Sequence, residues 1–323
     1  MGHRFTLLAI LGAVGIISTA VHYWARPILG PTLATVGYGK AATTLGSRTY
    51  PREAIDSDGF RVRIKQPPRR IVSQYWSADE YLYSIVPPER VVGVSESSYL
   101  RGVSNVLEYT AKFRPVIATD PERVLRQNPD LIIVASSSLS NFTDLIRTSG
   151  IPVYRMFIDF TKLDQIEEYI RLIGYLTGED DRAEAVAQRF HADIARAKAL
   201  RPPAARTPRV LGLGGKYTYG TQTLFNDVIQ TVGAINIAAQ NGLKAYNQVN
   251  GEQIARWNPE WIIAGAQEGK IEETRNRILA DPAVALTEAG RTGHVLVIEN
   301  RIFLPMSPYS SLRVTAIAEA LWQ

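Results

Sequence analysis

Two glutamates stand at matching places in a repeated stretch of this chain. Glu122-Arg-Val-Leu-Arg-Gln-Asn-Pro-Asp-Leu-Ile-Ile-Val-Ala135 aligns with Glu252-Gln-Ile-Ala-Arg-Trp-Asn-Pro-Glu-Trp-Ile-Ile-Ala-Gly265 at an offset of 252 minus 122, or 130, with six identical positions. Each copy predicts a short helix ended by Asn-Pro and followed at once by a buried strand. Asp120 caps the first helix with Pro121 and Glu122 after it, and Asn250 caps the second with Gly251 and Glu252. A first-turn glutamate favours the helix dipole by ~0.3–1 kcal/mol and needs no further role on that ground. Its repetition leaves a second use open.

The other chemistry-bearing residues are aromatic and follow apolar runs. Tyr75 and Trp76, Tyr99 with Arg101, and Ser136 to Ser138 come from the first half. Lys216, Tyr217 and Tyr219, then Tyr246, Gln267, Met306 and Tyr309 come from the second. Ligands of α/β sheets collect beyond the carboxyl ends of the strands, where these loops lie. Flat rings suit a bulky, partly apolar ligand, and Arg101 or Lys216 would meet its carboxylates. Each ring alone reads equally well as a loop anchor. Gly212-Leu-Gly-Gly-Lys-Tyr217 could cradle a phosphate, but it lacks the third glycine of a dinucleotide fingerprint and the Lys-Ser/Thr of a P-loop, so a plain glycine turn is expected. Asp79 and Glu80 have no evident histidine or nucleophile partner and read as capping residues. No enzyme is expected. The chain has no cysteine and four scattered histidines, His3, His22, His191 and His294, which argues against thiolate chemistry, a lipid anchor, a metal site or a metal cofactor.

The elements that must position these residues alternate. Arg70 to Ser73, Val91 to Val94, Leu131 to Ala135 and Val153 to Phe157 read as buried parallel strands, with helices at 78–85, 121–127 and 141–148 between them. Ile55 to Ile64 reads as a hairpin turning at Asp58-Gly59. A helix opened by a Thr161-x-x-Asp164 box ends near Gly178. A second, from Asp180 to Leu200, spans roughly 30 Å before Pro202-Pro203 stops it. The pattern then resumes with strands at 209–213, 261–264 and 295–298 and helices at 224–232 and 314–322. The expected fold is α/β: two Rossmann-like α/β lobes joined by a single long α-helix. The lobes are 50–160 and 201–323, with a helical segment at 161–200.

The 323 residues, 46% hydrophobic and 21% charged, suit about two folded domains. Phe5 to Val21 is apolar behind Arg4, and Ser18-Thr19-Ala20 offers a cut after Ala20. Residues 1–20 are thus a secretory signal or an uncleaved membrane anchor, and 21–49 a linker. Either way the folded part lies outside the cytoplasmic membrane. The net charge of +5 is spread thinly, with no basic run, so nucleic acid is not expected as a partner.

The chain resembles the periplasmic solute-binding proteins of ABC importers that capture iron-siderophores, haem and vitamin B12. The first half carries Pro68-Arg-Arg-Ile-Val-Ser73, Val91-Val-Gly-Val94, Ser97-Ser-Tyr99, Glu122 through Ile133 and Gly150-Ile-Pro-Val153. The second carries Asn226 to Asn236 and Glu252 through Pro259. The resemblance implies an extracytoplasmic, monomeric binding component with its ligand cleft between the lobes, and ABC permease and ATPase subunits as partners. It implies docking through one glutamate per lobe, at Glu122 and Glu252, and ligand contact at Tyr99. The lightly charged, aromatic lining favours a cobalamin-like corrinoid or a ferric siderophore as the metal-chelate ligand. A haem-binding protein and a membrane-anchored ligand sensor are the alternatives of the same fold.

Overall fold

The computed structural model describes residues 46–116 and 120–323. The expected signal or anchor segment and nearly all of the 21–49 linker lie outside the described residues. No helix among the described residues is long and apolar enough to cross a membrane.

Apolar runs too short for helices become buried parallel strands. The first sheet contains β3 (Ile71–Ser73), β4 (Val91–Ser95), β5 (Arg114–Val116), β6 (Leu131–Ala135) and β7 (Val153–Met156), ordered β5-β4-β3-β6-β7. Every adjacent pair is parallel. All five residues of β6 are buried, as an unbroken apolar run requires when both faces of a sheet are covered. The second sheet contains β8 (Arg209–Leu213), β10 (Ile235–Asn236), β12 (Trp261–Ala266) and β13 (Val295–Glu299), ordered β10-β8-β12-β13 and again parallel. Two antiparallel pairs flank them: β1 (Arg52–Ile55) with β2 (Arg61–Ile64), turning through Gly59 at φ 85°, and β9 (Tyr217–Tyr219) with β11 (Tyr246–Gln248). This is a mixed α/β fold of parallel sheets.

In each sheet the chain reverses direction once. From β3 it winds outward to β4 and β5 and then returns to β6, so the switch lies between β3 and β6. In the second sheet it lies between β8 and β12. Ligands of open parallel sheets gather beyond the carboxyl ends of the strands at such points.

Helix α1 (Trp76–Ile85) follows β3, α2 (Pro121–Leu125) precedes β6, and α3 (Ser140–Arg147) links β6 to β7. The chain then passes through α4 (Leu163–Thr177) and α5 (Asp180–Ala199) to the second sheet, where α6 (Leu224–Thr231), α7 (Gly251–Trp257) and the closing α8 (Ser310–Trp322) pack. Helix α5 lies against α1, α4 and α8. Its buried Ala183, Ala187 and Phe190 join Ile166, Ile170 and Ile173 of α4 and Val314 and Ile317 of α8 in one core.

Two expectations for helix starts are corrected. Helix α4 is not capped by a Thr161–Asp164 box. The Gln165 side chain instead folds back to accept from the Thr161 and Lys162 amides at 2.8 and 3.0 Å. One residue more in the loop places the amide, not the carboxylate, at the third helical position. Asp79 and Glu80 are not caps either. Both are fully buried in α1, because the helix opens at Trp76 and turns its 78–82 stretch into the core.

Candidate functional site

Tyr75 and Trp76 follow β3 at the first switch point, and the 214–219 turn follows β8 at the second. A serine hydroxyl shapes the first loop, with the Tyr75 amide on Ser73 Oγ at 3.4 Å, and the Tyr75 and Trp76 rings meet edge-on at 5.9 Å. In the second loop Tyr219 lies on β9, paired with Tyr246 of β11. The Tyr219 ring meets Tyr246 edge-on at 5.8 Å, Phe225 at 4.9 Å and Phe303 at 5.9 Å. Glycine is required beneath it: a Cβ on Gly212 would come within 2.6 Å of both the Tyr219 and Phe225 rings. The glycine-rich turn therefore makes room for an aromatic ring, the plainer of the two readings its sequence allowed.

Loops of both sheets bring phenolic and charged groups near one another here. Burial pushes the Tyr75 phenol above its ordinary range, reinforced by nearby Asp159, Glu80 and Tyr246. Burial and Asp159 push Tyr246 the same way, although the residue is still 46% exposed. Asp159, on the loop after β7, forms no hydrogen bond or ion pair among the described residues; the residue is exposed, but crowding by its neighbours partly desolvates its carboxyl and raises its pKa. Arg313 of α8 lies near Tyr219 and Tyr246 and is 4% exposed. Its Nη1 donates to the Phe303 carbonyl at 2.5 Å, while Nε and Nη2 have no hydrogen-bond partner among the described residues. Burial draws its pKa down to about 10.

Of the sequence-predicted residues, Tyr75, Trp76, Tyr219 and Tyr246 thus come together. The others stand apart. Tyr99 closes a 3-10 turn, and its hydroxyl donates to the Phe113 carbonyl at 2.5 Å. Arg101 is 3.8 Å from Glu268 and mostly in solvent. Lys216 is exposed in the turn between β8 and β9, and the Tyr217 hydroxyl accepts from Gln248 at 3.3 Å. Tyr309 opens α8 beside Glu80, whose nearby charge adds to burial in raising its phenol. The Ser136 and Ser138 carbonyls are held by Arg155, which is itself paired with Asp58 at 2.7 Å. His191 is exposed on α5 and His294 stacks on Trp261 at 4.4 Å.

Sequence reasoning missed Asp159, Arg313 and the buried tie made by Glu80. Glu80 accepts from the Asn105 amide and side chain at 3.2 and 2.7 Å, and from Ser307 Oγ at 2.5 Å. Asn105 also donates to the Arg301 carbonyl at 2.6 Å. An open cavity of about 370 Å³ adjoins this tie, lined by Tyr83, Arg101, Asn105, Tyr109, Glu268 and Arg301. Arg313 carried a signal: it falls four residues before Ile317, on the apolar stripe of its helix.

Glu122 and Glu252 are both exposed in the first turns of α2 and α7. The Asp120 side chain accepts from the Arg123 amide at 3.1 Å, and the Asn250 side chain accepts from the Gln253 amide at 2.9 Å. The two carboxylates are therefore presented by the same local geometry.

The periplasmic binding protein family model matches residues 71–302, which include both sheets. The chain belongs to this family. Among its relatives is a cobalamin-binding protein of Halobacterium salinarum, 28% identical over 77% of this chain and 68% of that one. Another is an uncharacterized ABC transporter substrate-binding lipoprotein of Bacillus subtilis, 25% identical over 74% of this chain and 79% of the relative. Among solved structures, the periplasmic haem-binding protein RhuT from Roseiflexus in its apo form superposes with a TM-score of 0.68. It is 24% identical and covers 79% of this chain and 98% of its own, which supports the shared fold.

Proposed function

We propose that this periplasmic binding protein is the exported solute-binding component of an ABC importer, and that its cleft holds a corrinoid. In this reading the 50–160 and 201–323 regions act as monomeric lobes, the 1–20 segment directs export, and Glu122 and Glu252 dock onto the permease. The chain binds and delivers, with no chemical step of its own.

The observation that carries the ligand class is the environment of Asp159. It is an exposed carboxylate with no hydrogen-bond or ion-pair partner among the described residues, set near Tyr75 and Tyr246, while Arg101 of the loop after β4 and Arg155 of β7 are engaged by Glu268 and Asp58. A tetrapyrrole bearing carboxylates would meet this exposed negative charge directly, whereas the Arg313 cation near Tyr246 is buried. A corrin rim bears primary amides, which donate hydrogen bonds to a carboxylate, and its flat ring suits the aromatic walls. The cobalamin-binding relative supports the same choice. The family resemblance adds a ligand contact by Tyr99, and the loop positions of Arg101, Lys216, Tyr217 and Tyr309 put them in the outer lining.

Titration of intrinsic fluorescence, with Trp76 beside the cleft as reporter, tests this reading. Cyanocobalamin is expected to quench with micromolar or tighter affinity. Tighter binding of haemin or ferrichrome would replace the corrinoid with that ligand, and no response to any of the three would overturn the ligand class. Replacing Glu122 and Glu252 with Lys is expected to abolish uptake and leave ligand affinity unchanged. Normal uptake would reject docking and favour a sensor.

A further inference from the structure

We infer that Arg70 and Arg209 are positioning residues that set where the two docking glutamates stand, Arg70 acting on Glu122 and Arg209 on Glu252. This rests on the docking reading of those glutamates and extends it to residues outside the repeated stretch.

The two arginines occupy equivalent registers. Ile71 pairs with Leu131 in the first sheet and Val210 with Trp261 in the second, so Arg70 sits opposite Asp130 and Arg209 opposite Glu260. The Asp130 and Glu260 amides donate to the arginine carbonyls, each at 2.9 Å. In return, the arginine amides donate to the Asp130 and Glu260 carboxylates at 2.8 and 2.7 Å.

With both backbones pinned, each guanidinium reaches the end of the docking helix. Arg70 donates from Nε to the Asn128 carbonyl at 2.8 Å and from Nη2 to the Gln127 carbonyl at 2.5 Å. Arg209 donates from Nη2 to the Asn258 carbonyl at 2.9 Å and from Nη1 to the Trp257 carbonyl at 3.2 Å. Gln127 and Trp257, and Asn128 and Asn258, are the same positions of the repeat. Asn128 and Asn258 both turn the chain through left-handed backbone, at φ 47° and 46°. Asparagine is among the few residues that adopt this conformation readily.

A helix of five or seven residues has no stability of its own, so its ends decide its direction. The N-terminal end is held by Asp120 or Asn250. The C-terminal end is held by the arginine, which binds the carbonyls of the turn closing the helix and complements its negative end. A forked guanidinium fixes two carbonyls at once in a rigid planar geometry, which an ammonium on a flexible stem does not impose. Each glutamate is one short helix away from that clamp, so tilting the helix moves the carboxylate directly.

The test is stimulation of ATP hydrolysis by the reconstituted permease–ATPase complex, titrated with the purified full-length protein in the absence of ligand and with cyanocobalamin. The Arg70→Met/Arg209→Met double variant is expected to raise the half-saturating protein concentration at least tenfold. Maximal stimulation and the cyanocobalamin affinity should stay within twofold, a split that general damage to the fold would not produce. Arg70→Lys/Arg209→Lys, which keeps the charge, guards against misfolding and is expected to give an intermediate shift. An unshifted half-saturation in the arginine variants, where Glu122→Lys/Glu252→Lys abolishes stimulation, overturns the positioning role alone. Stimulation unaffected by the glutamate pair overturns the docking reading, and this inference with it.

Discussion

Glu80 of α1 accepts a hydrogen bond from Ser307 across 227 positions of sequence, at 2.5 Å and in full burial. The same carboxylate holds Asn105, so one side chain ties the helix after β3 to the segment that opens α8. Burial raises its pKa from 4.5 to about 7, as it raises that of Asp79 from 3.8 to about 7. The folded state therefore holds these protons where the unfolded chain has released them. The stabilisation is fully present below about pH 4 and fades as pH rises through about 7. Urea midpoints measured from pH 4.5 to 8 are expected to fall toward neutrality in the wild type. Glu80→Gln, which stays uncharged, should show a shallower fall, and an identical profile would refute the account.

The Gly212 position offers a second test. A methyl group there would displace Tyr219 or Phe225, and overpacking of this kind costs about 1–3 kcal/mol. Gly212→Ala should lower stability by that amount and weaken cyanocobalamin binding about tenfold, because Tyr219 leaves its wall. Gly212→Ala/Tyr219→Leu should recover the stability without recovering the affinity. Recovery of both would show that the Tyr219 ring does not serve the ligand.

What could be read from the sequence follows from range. Strands such as 131–135 and 209–213 announced themselves, because an apolar run between turn residues has few other uses. Capping by Asp120 and Asn250 was legible because a cap and its target lie three residues apart. The partners of Asp79, Glu80 and Arg313 were not, because burial of a charged residue is decided by tertiary packing. Helical spacing put Arg313 on a buried stripe but gave no hint of Phe303 or Tyr219. Tyr99 shows the same limit: its loop was placed correctly, whereas the Phe113 carbonyl that takes its hydroxyl lies beyond local pattern.

That bond takes the Tyr99 hydroxyl, though not its ring, away from the ligand. Tyr99→Phe keeps the ring and loses only the donor to Phe113. It is expected to cost about 1 kcal/mol, the usual net worth of such a hydrogen bond, and to leave cyanocobalamin affinity within twofold. A tenfold loss of affinity at unchanged stability would return the Tyr99 hydroxyl to the ligand. Tyr246→Ala, by contrast, should cost affinity and little stability, since nearly half of the residue is exposed.

Arg313 sets a cost against a use. A buried ion carries a desolvation penalty of several kcal/mol, and no carboxylate among the described residues forms an ion pair with Arg313. Its one strong bond satisfies the Phe303 carbonyl, whose loss would cost about 1–3 kcal/mol. The desolvation penalty exceeds what that bond returns, so Arg313→Met, of similar length and no charge, should raise the urea midpoint. The cation also stands behind Tyr219 and Tyr246, lowering phenols that burial raises, and its removal should weaken cyanocobalamin binding by several fold. A variant both more stable and a poorer binder would show that the charge is kept for the cleft. A variant destabilised by about 2 kcal/mol or more would show that the Phe303 tie outweighs the buried charge.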